Sequence, residues 1–216
     1  MGSITMGPDK RLVEFIKNKY GIQNFIETGT YYGGTTEWAS TLFKDVHSIE
    51  LSEYWYNHTR NRLIDRKNIK LYFGDTREFL PKILSVVDSA ILWLDAHWCA
   101  DNSSGEDDQC PLMQELEIIN EHTKNFFILI DDARLFLAPP PEPNHIKFYP
   151  DLLSLIDILR LKNRHVYVYN DIIIAIPIIA KDEFDLFLQG LASQNQLSPL
   201  KSTLYHRIKN KLTKLK

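Results

Sequence analysis

Asn24-Phe25-Ile26-Glu27-Thr28-Gly29-Thr30-Tyr31-Tyr32-Gly33-Gly34 is the stretch that decides the fold. Phe25 and Ile26 read as the end of a buried strand. Glu27 and Thr28 follow at its carboxyl edge, and a turn then carries Gly29, Gly33 and Gly34. From Thr35 the pattern becomes helical, with Trp38, Leu42 and Phe43 on one side. Strand, glycine-rich turn and helix in that order bring backbone N–H groups and a helix N-terminus close to a ligand. Glycine removes the side chain where a ligand must lie against the main chain. A phosphate-binding loop would end in Gly-Lys-Ser/Thr, and this one has no lysine. A dinucleotide turn reads Gly-x-Gly-x-x-Gly, and here Tyr31 stands in place of the second glycine. Glu27, two residues before the first glycine, suits a ligand with a cationic end and no pyrophosphate.

Outward from this turn, strands and helices alternate. Asp9 caps a first helix through about Lys19, which Gly21 ends. Asp45 to Glu50 reads as a second strand, followed by a helix from Ser52 to about Ile64. Ile69 to Phe73 is a third strand, ending at Gly74-Asp75-Thr76 and a short helix. Ala90 to Leu94 is a near-continuous apolar run, as in parallel strands covered on both faces, and it ends at Asp95-Ala96-His97-Trp98. A polar loop from Ala100 to Gln109 precedes a helix opened by Pro111. Phe126 to Ile130 is the most hydrophobic strand and ends at Asp131-Asp132. The proline-rich stretch Ala138 to Pro143 suits neither helix nor central strand. Asp151 to Leu161 is amphipathic, and His165–Tyr169 and Ile172–Ile176 flank an Asn170-Asp171 hairpin turn. The alternation implies a mostly parallel sheet with an antiparallel strand at its edge. Each acidic ending then falls on the carboxyl rim of the sheet, where open α/β sheets bind ligands.

The 216 residues suit one domain with a sizeable core. A 44% hydrophobic and 25% charged composition is that of a globular protein, and a net charge of −3 points away from general nucleic-acid binding. The beginning of the chain lacks the build of a signal peptide, and no apolar run approaches the ~20 residues that span a bilayer. Cys99 and Cys110 are too few for a disulfide framework and lack the short spacing of zinc modules. The expectation is a cytoplasmic protein of unspecified oligomeric state.

Glu27-Thr28-Gly29-Thr30-Tyr31-Tyr32-Gly33-Gly34 resembles the first motif of class I S-adenosylmethionine-dependent methyltransferases. The likeness is strongest to the branch of macrocin and novobiocin-type sugar O-methyltransferases, and it spans about Asn24 to Pro177. The resemblance implies a single three-layer Rossmann-like domain over residues 1–200, with an N-terminal helix in 1–22 and a sheet core in 23–177. It also implies strand order 3-2-1-4-5-7-6, helices on both faces and an antiparallel edge hairpin. On this reading Glu27, Thr28, Gly29, Tyr31, Gly33, Gly34, Glu50, Asp75, Thr76 and Asp95 bind the cofactor. Glu50 would receive the ribose hydroxyls and Asp75 would face the adenine amino group. The alternative is that Glu50 and Asp75 cap the helices after them, and that Glu27 is a buried acid holding the turn by accepting backbone N–H bonds.

Asp95, Asp131 and Asp132 end neighbouring strands about 4.8 Å apart. Consecutive strand residues point to opposite faces, so Asp131 and Asp132 converge only if the strand breaks between them. Unneutralised, such a cluster would take up a proton, and a divalent ion such as Mg²⁺ resolves the conflict. The resemblance places a metal on these three aspartates, the alternative being a salt-bridged cluster. His97 is the candidate general base, or else a packing or metal-bound histidine. The resembling enzymes often carry Asp-Gly-Asp where this chain has Asp95-Ala96-His97. Trp98, Arg134 and Tyr149 are candidate contacts for a sugar or glycan acceptor, the alternative for Arg134 being that it neutralises the aspartate cluster. The acidic loop reads as a lid or a solvated turn. From Lys201 a basic stretch with apolar residues at helical spacing is either a membrane- or partner-contacting helix or a solvated tail. The resulting expectation is metal-assisted O-methylation of a sugar hydroxyl. The alternatives are metal-free methylation of a nitrogen and a non-catalytic cofactor-binding scaffold.

Overall fold

Asp9 opens the chain's first helix, α1 (Lys10–Tyr20), by accepting the N–H of Arg11, and Gly21 closes it in the left-handed conformation. The computed structural model describes residues 7–99 and 104–194. These divide into two units after Pro177. In the first, β1 (Asn24–Thr28), α2 (Gly34–Ser40), β2 (Asp45–Glu50), α3 (Glu53–Arg62), β3 (Ile69–Phe73), α4 (Thr76–Val86) and β4 (Ser89–Leu94) alternate strictly. They are followed by α5 (Leu112–Asn120), β5 (Asn125–Ile130), the single turn α6 (Arg134–Leu137), α7 (Leu152–Arg160), β6 (Arg164–Tyr169) and β7 (Ile172–Pro177). The strands form one sheet of order β3-β2-β1-β4-β5-β7-β6. β1 to β5 pair in parallel, whereas β7 runs antiparallel to both β5 and β6. This is the expected α/β sheet, with its antiparallel hairpin at one edge.

β4, β5 and β7 carry the core. Ala90, Leu92, Phe126, Ile128, Ile173 and Ala175 are buried in one cluster with Leu80 and Leu84 of α4 and Leu116 and Ile119 of α5. Burying a Leu or Phe side chain contributes roughly 2 kcal/mol, so the central strands dominate the stability. Expected and observed bounds differ mainly at β1, which continues through Glu27 and Thr28 instead of ending at Ile26. Both residues are paired in register, Glu27 with Ser48 and Trp93, Thr28 with Ile49 and Leu94. Leu42 and Phe43 lie beyond the end of α2.

The second unit begins with a 3-10 turn, Ile178–Ala180, and a helix over 181–194 that the sequence analysis did not anticipate. Phe184, Leu188 and Leu191 are its buried positions, spaced as on one helix face. The basic stretch from Lys201 lies outside the described residues. No described helix is long and apolar enough to cross a membrane.

Candidate active site

Glu50 organises the cofactor half of the rim. Its Oε2 accepts the N–H groups of Thr30 (3.0 Å) and Tyr31 (2.8 Å), and its Oε1 accepts that of Ser52 (2.7 Å). One carboxylate therefore holds the glycine turn and starts α3. Burial pushes the Glu50 carboxyl above its ordinary range, and the N–H groups of Ser52, Tyr31 and Thr30 pull it back. Tyr31 sits at φ 48°, unusual for a residue with a side chain. It is over-determined there: its N–H lies on Glu50, its carbonyl accepts from the Thr59 hydroxyl at 2.6 Å, and its ring lies 4.4 Å from that of Trp55. Gly29, at φ 82°, must be glycine for a second reason. A Cβ there would lie 2.2 Å from the carbonyl oxygen of Asp95.

Glu27 is not on the cavity wall. It is 2% exposed and accepts hydrogen bonds from the Ser48 hydroxyl (2.6 Å) and from the Thr36 hydroxyl of α2. It is thus a buried acid that ties β1, β2 and α2 together, as in the alternative to cofactor contact, but through hydroxyls in place of backbone N–H donors. Burial raises its pKa to about 7 against the lowering effect of those two hydroxyls. Thr28 is buried too, its carbonyl accepting the Asp95 N–H at 3.0 Å. Gly33 starts α2 at φ 70° beneath Thr59, and neither it nor Gly34 lines the cavity.

Asp75 caps α4, accepting the Arg77 N–H at 2.8 Å, and the Arg77 guanidinium closes on it (Nη2–Oδ2 2.6 Å). That side-chain bond holds the Asp75 carboxyl below its usual range. Arg77 also reaches Asp108 at 2.6 Å, which fastens that residue of the acidic loop beside the cavity. Sequence reasoning missed Arg77, although Asp75-Thr76-Arg77 at a helix start is a recognisable cap with a cation in reach.

In the acceptor half, the Asp131 N–H continues the β4–β5 ladder onto the Leu94 carbonyl at 3.1 Å. Asp132 then turns left-handed at φ 56°, its N–H on Asp131 Oδ1 at 2.8 Å. This is the strand break that convergence of the pair required. His97 lies between carboxylates, Nε2 2.9 Å from Asp132 Oδ2 and Nδ1 3.3 Å from Asp95 Oδ1. Arg134 Nη1 is 2.6 Å from Asp132 Oδ1 and also pairs with Asp171. Burial alone would lower the His97 pKa, but the hydrogen bond to Asp132 and the charges of Asp95 and Asp132 raise it to about 9. Burial and the neighbouring Asp132 charge raise Asp131 to about 6, and burial drives Asp95 well upward. The contact with Asp132 favours the protonated, donating form of the ring, which weighs against His97 as the base.

These carboxylates have the chemistry of metal ligands, but the arrangement does not fit a metal. Both oxygens of Asp132 are engaged by cationic side chains, and among the described residues no group of three His, Cys, Asp or Glu is placed to hold an ion.

The two halves meet in one cavity of about 390 Å³, lined by Gly29, Tyr31, Glu50, Asp75, Thr76, Asp95, His97, Asp131, Asp132 and Arg134 among others. Gly7, Leu51 and Trp55 also reach it, and nothing in their sequence context marks them. The acceptor candidates separate. Arg134 faces this cavity, whereas Trp98 lines a neighbouring groove with Glu106, Glu142, Asn144 and His145. Tyr149 is a support: it is 8% exposed and donates its hydroxyl to Asn144 Oδ1 at 2.9 Å. Gln109, another residue not anticipated, joins the groove's two walls. Its carbonyl accepts the Trp98 N–H and its Oε1 accepts the His145 N–H, both at 2.8 Å.

No family profile and no curated protein matches the sequence. Solved structures do match. A proposed caffeoyl-CoA O-methyltransferase of Staphylococcus aureus aligns with TM-score 0.55 at 12% identity, covering 81% of this chain and 86% of that one. The fold is that of the class I methyltransferases. An SAH-bound Podospora anserina methyltransferase aligns with TM-score 0.51 at 14% identity, over 80% of this chain and 89% of that one. The methyltransferase domain of a bacterial Hen1 aligns with TM-score 0.51 at 14% identity, over 77% and 96%. In this methyltransferase fold, the glycine turn and Glu50 stand at the carboxyl ends of β1 and β2, on the rim where such sheets bind ligands.

Proposed function

We propose that this protein is an S-adenosylmethionine-dependent O-methyltransferase acting on a hydroxyl of a sugar or glycan intermediate. The observation that carries the reading is the single cavity: the Glu50-held turn and the Asp95–His97–Asp132–Arg134 cluster open into the same space. Its volume suits a small organic cofactor, and Glu50 Oε1, which accepts the Ser52 N–H, keeps acceptor capacity for a ribose hydroxyl. S-adenosylmethionine, when bound, supplies a methyl group on a sulfonium sulfur. The glycine turn positions it, and the acids of the rim favour its positive charge.

A neutral hydroxyl is a weak nucleophile, so the site must take its proton as the new O–C bond forms and the S–C bond breaks. Asp131 is the aspartate of the three without an ion pair among the described residues, and it is the base in this proposal. His97 and Arg134 orient the acceptor oxygen and hold Asp95 and Asp132 in place. Support for a carbohydrate acceptor comes from the groove beside the cavity, where the half-buried Trp98 stands with Glu106, Glu142 and Asn144. An aromatic face with carboxylate and amide acceptors suits a hydroxyl-rich ring. The metal assistance implied by the sequence resemblance is left out of this scheme because Asp132 is already paired on both oxygens.

Calorimetric titration with S-adenosylhomocysteine, followed by methyl transfer from labelled S-adenosylmethionine to a panel of sugars and sugar nucleotides, tests the proposal. Micromolar-range binding with label on a sugar oxygen is expected. Absence of binding heat would remove the methyltransferase reading. Label on a nitrogen acceptor would remove the sugar one.

A further inference from the structure

The aspartate cluster carries its own positive charge, and that charge is anchored from outside the cluster. Clustered carboxylates in a half-buried site need a counter-charge, because leaving them uncompensated is costly. Here Arg134 meets Asp132 Oδ1 at 2.6 Å, and His97 spans Asp132 Oδ2 at 2.9 Å and Asp95 Oδ1 at 3.3 Å. Arg134 is itself fixed by the β6–β7 turn. The Asp171 carboxylate accepts the Arg134 N–H at 2.9 Å and pairs with its guanidinium, while the Asp171 carbonyl accepts the Ala133 N–H at 2.9 Å. A divalent ion seated on Asp132 would have to dislodge Arg134 or His97 and then lie beside a like charge.

We infer that Arg134 and His97 occupy the position a divalent cation would take among Asp95, Asp131 and Asp132, with Asp171 as the positioning residue of Arg134, so that the site works without a metal ion. The inference deepens the methyltransferase reading and rests on it for catalysis; the pairing itself does not. It also explains why a histidine, and not a fourth acid, follows Asp95 by two residues. The ring nitrogens at that place contact both Asp95 and Asp132 without adding the negative charge that another carboxylate would bring.

The test uses the full-length protein, titrated calorimetrically with Mg²⁺ and followed by electron paramagnetic resonance with Mn²⁺. No saturable binding at millimolar cation is expected, and chelator is expected to leave the thermal midpoint unchanged. Saturable Mn²⁺ binding that is lost in Asp132→Asn would overturn the inference. The His97→Asp variant replaces the donor by a carboxylate and is expected to gain at least about tenfold in Mn²⁺ affinity, the scale on which ligand-shell changes act. A His97→Asp protein that keeps the wild-type circular dichroism yet binds Mn²⁺ no better would overturn the role given to His97. S-adenosylhomocysteine binding on the same samples separates the two readings. Its loss in wild type would count against the methyltransferase assignment and leave the cation result standing.

Discussion

The two halves of the rim solve the same electrostatic problem differently. On the cofactor side, Glu27 and Glu50 are satisfied by neutral donors: hydroxyls of Ser48 and Thr36 for one, backbone N–H groups for the other. On the acceptor side, Asp95 and Asp132 are satisfied by cationic side chains, His97 and Arg134. Neutral donors fix geometry without spending positive charge, which leaves Glu50, the one of the two that lines the cavity, free to attract a cationic ligand. Charged donors cancel the field locally and leave groups that can exchange protons and hydrogen bonds with a substrate. The Asp75–Arg77–Asp108 network lies between these cases, a cation used to fasten a loop.

If this contrast is right, the largest effect belongs to Glu50→Ala. It strands backbone N–H groups of Thr30, Tyr31 and Ser52, and is expected to lower stability by about 4 kcal/mol and S-adenosylhomocysteine affinity by at least about 100-fold. Urea unfolding and calorimetry measure the two. Retained affinity would show that the turn does not depend on its acid.

Next in size is a pH effect at Glu27. Its pKa of about 7 when folded exceeds the ordinary 4.5, so between these values the folded state keeps a proton that the unfolded chain releases. The resulting stabilisation is complete below pH 4.5 and is lost as pH rises to 7, by about 3 kcal/mol. The buried His47 acts in the opposite sense. Its pKa is depressed to about 4, chiefly by burial, so its contribution is lost as pH falls from 6.5 to 4. The difference between the stability curves of wild type and Glu27→Gln isolates the Glu27 contribution, and a flat difference across that window would refute it.

Gly29→Ala is expected to cost about 2 kcal/mol, because φ 82° strains any side chain and the Asp95 carbonyl blocks its Cβ. Thermal unfolding reports it, and S-adenosylhomocysteine binding should fall with it. The smallest effect belongs to the acceptor side. Arg134→Met uncovers the Asp132 and Asp171 carboxylates, yet is expected to leave cofactor affinity within about twofold. A large loss of cofactor binding in that variant would erase the division between the halves.

Much of the fold was legible locally. β2 and β3 span the residues that the sequence reading assigned to them, and Asn170-Asp171 forms the expected turn with both residues at positive φ. The helix caps Asp9, Ser52, Asp75 and Asp151 are likewise written into short stretches. Glu27 was harder, because the strand's end was misjudged by two residues and the hydroxyls that hold it come from β2 and α2. Arg77, Gln109 and Asp171 were not singled out, since each acts through a partner distant in sequence. Arg77 reaches Asp108 31 residues away, Gln109 meets His145 36 away, and Asp171 meets Arg134 37 away.

From its sequence alone the chain is an alternating α/β sheet with a glycine-rich turn after its first strand and acids at the ends of five strands. Periodicity and turn chemistry are properties of neighbouring residues, and neighbours suffice to establish them. Which donor each acid faces was decided only when the chain closed on itself. The left-handed Asp132 and the Asp171 turn bring Arg134 and His97 onto the aspartates. A carboxylate's partner depends on loops folding over the rim, and no spacing along the chain encodes that approach.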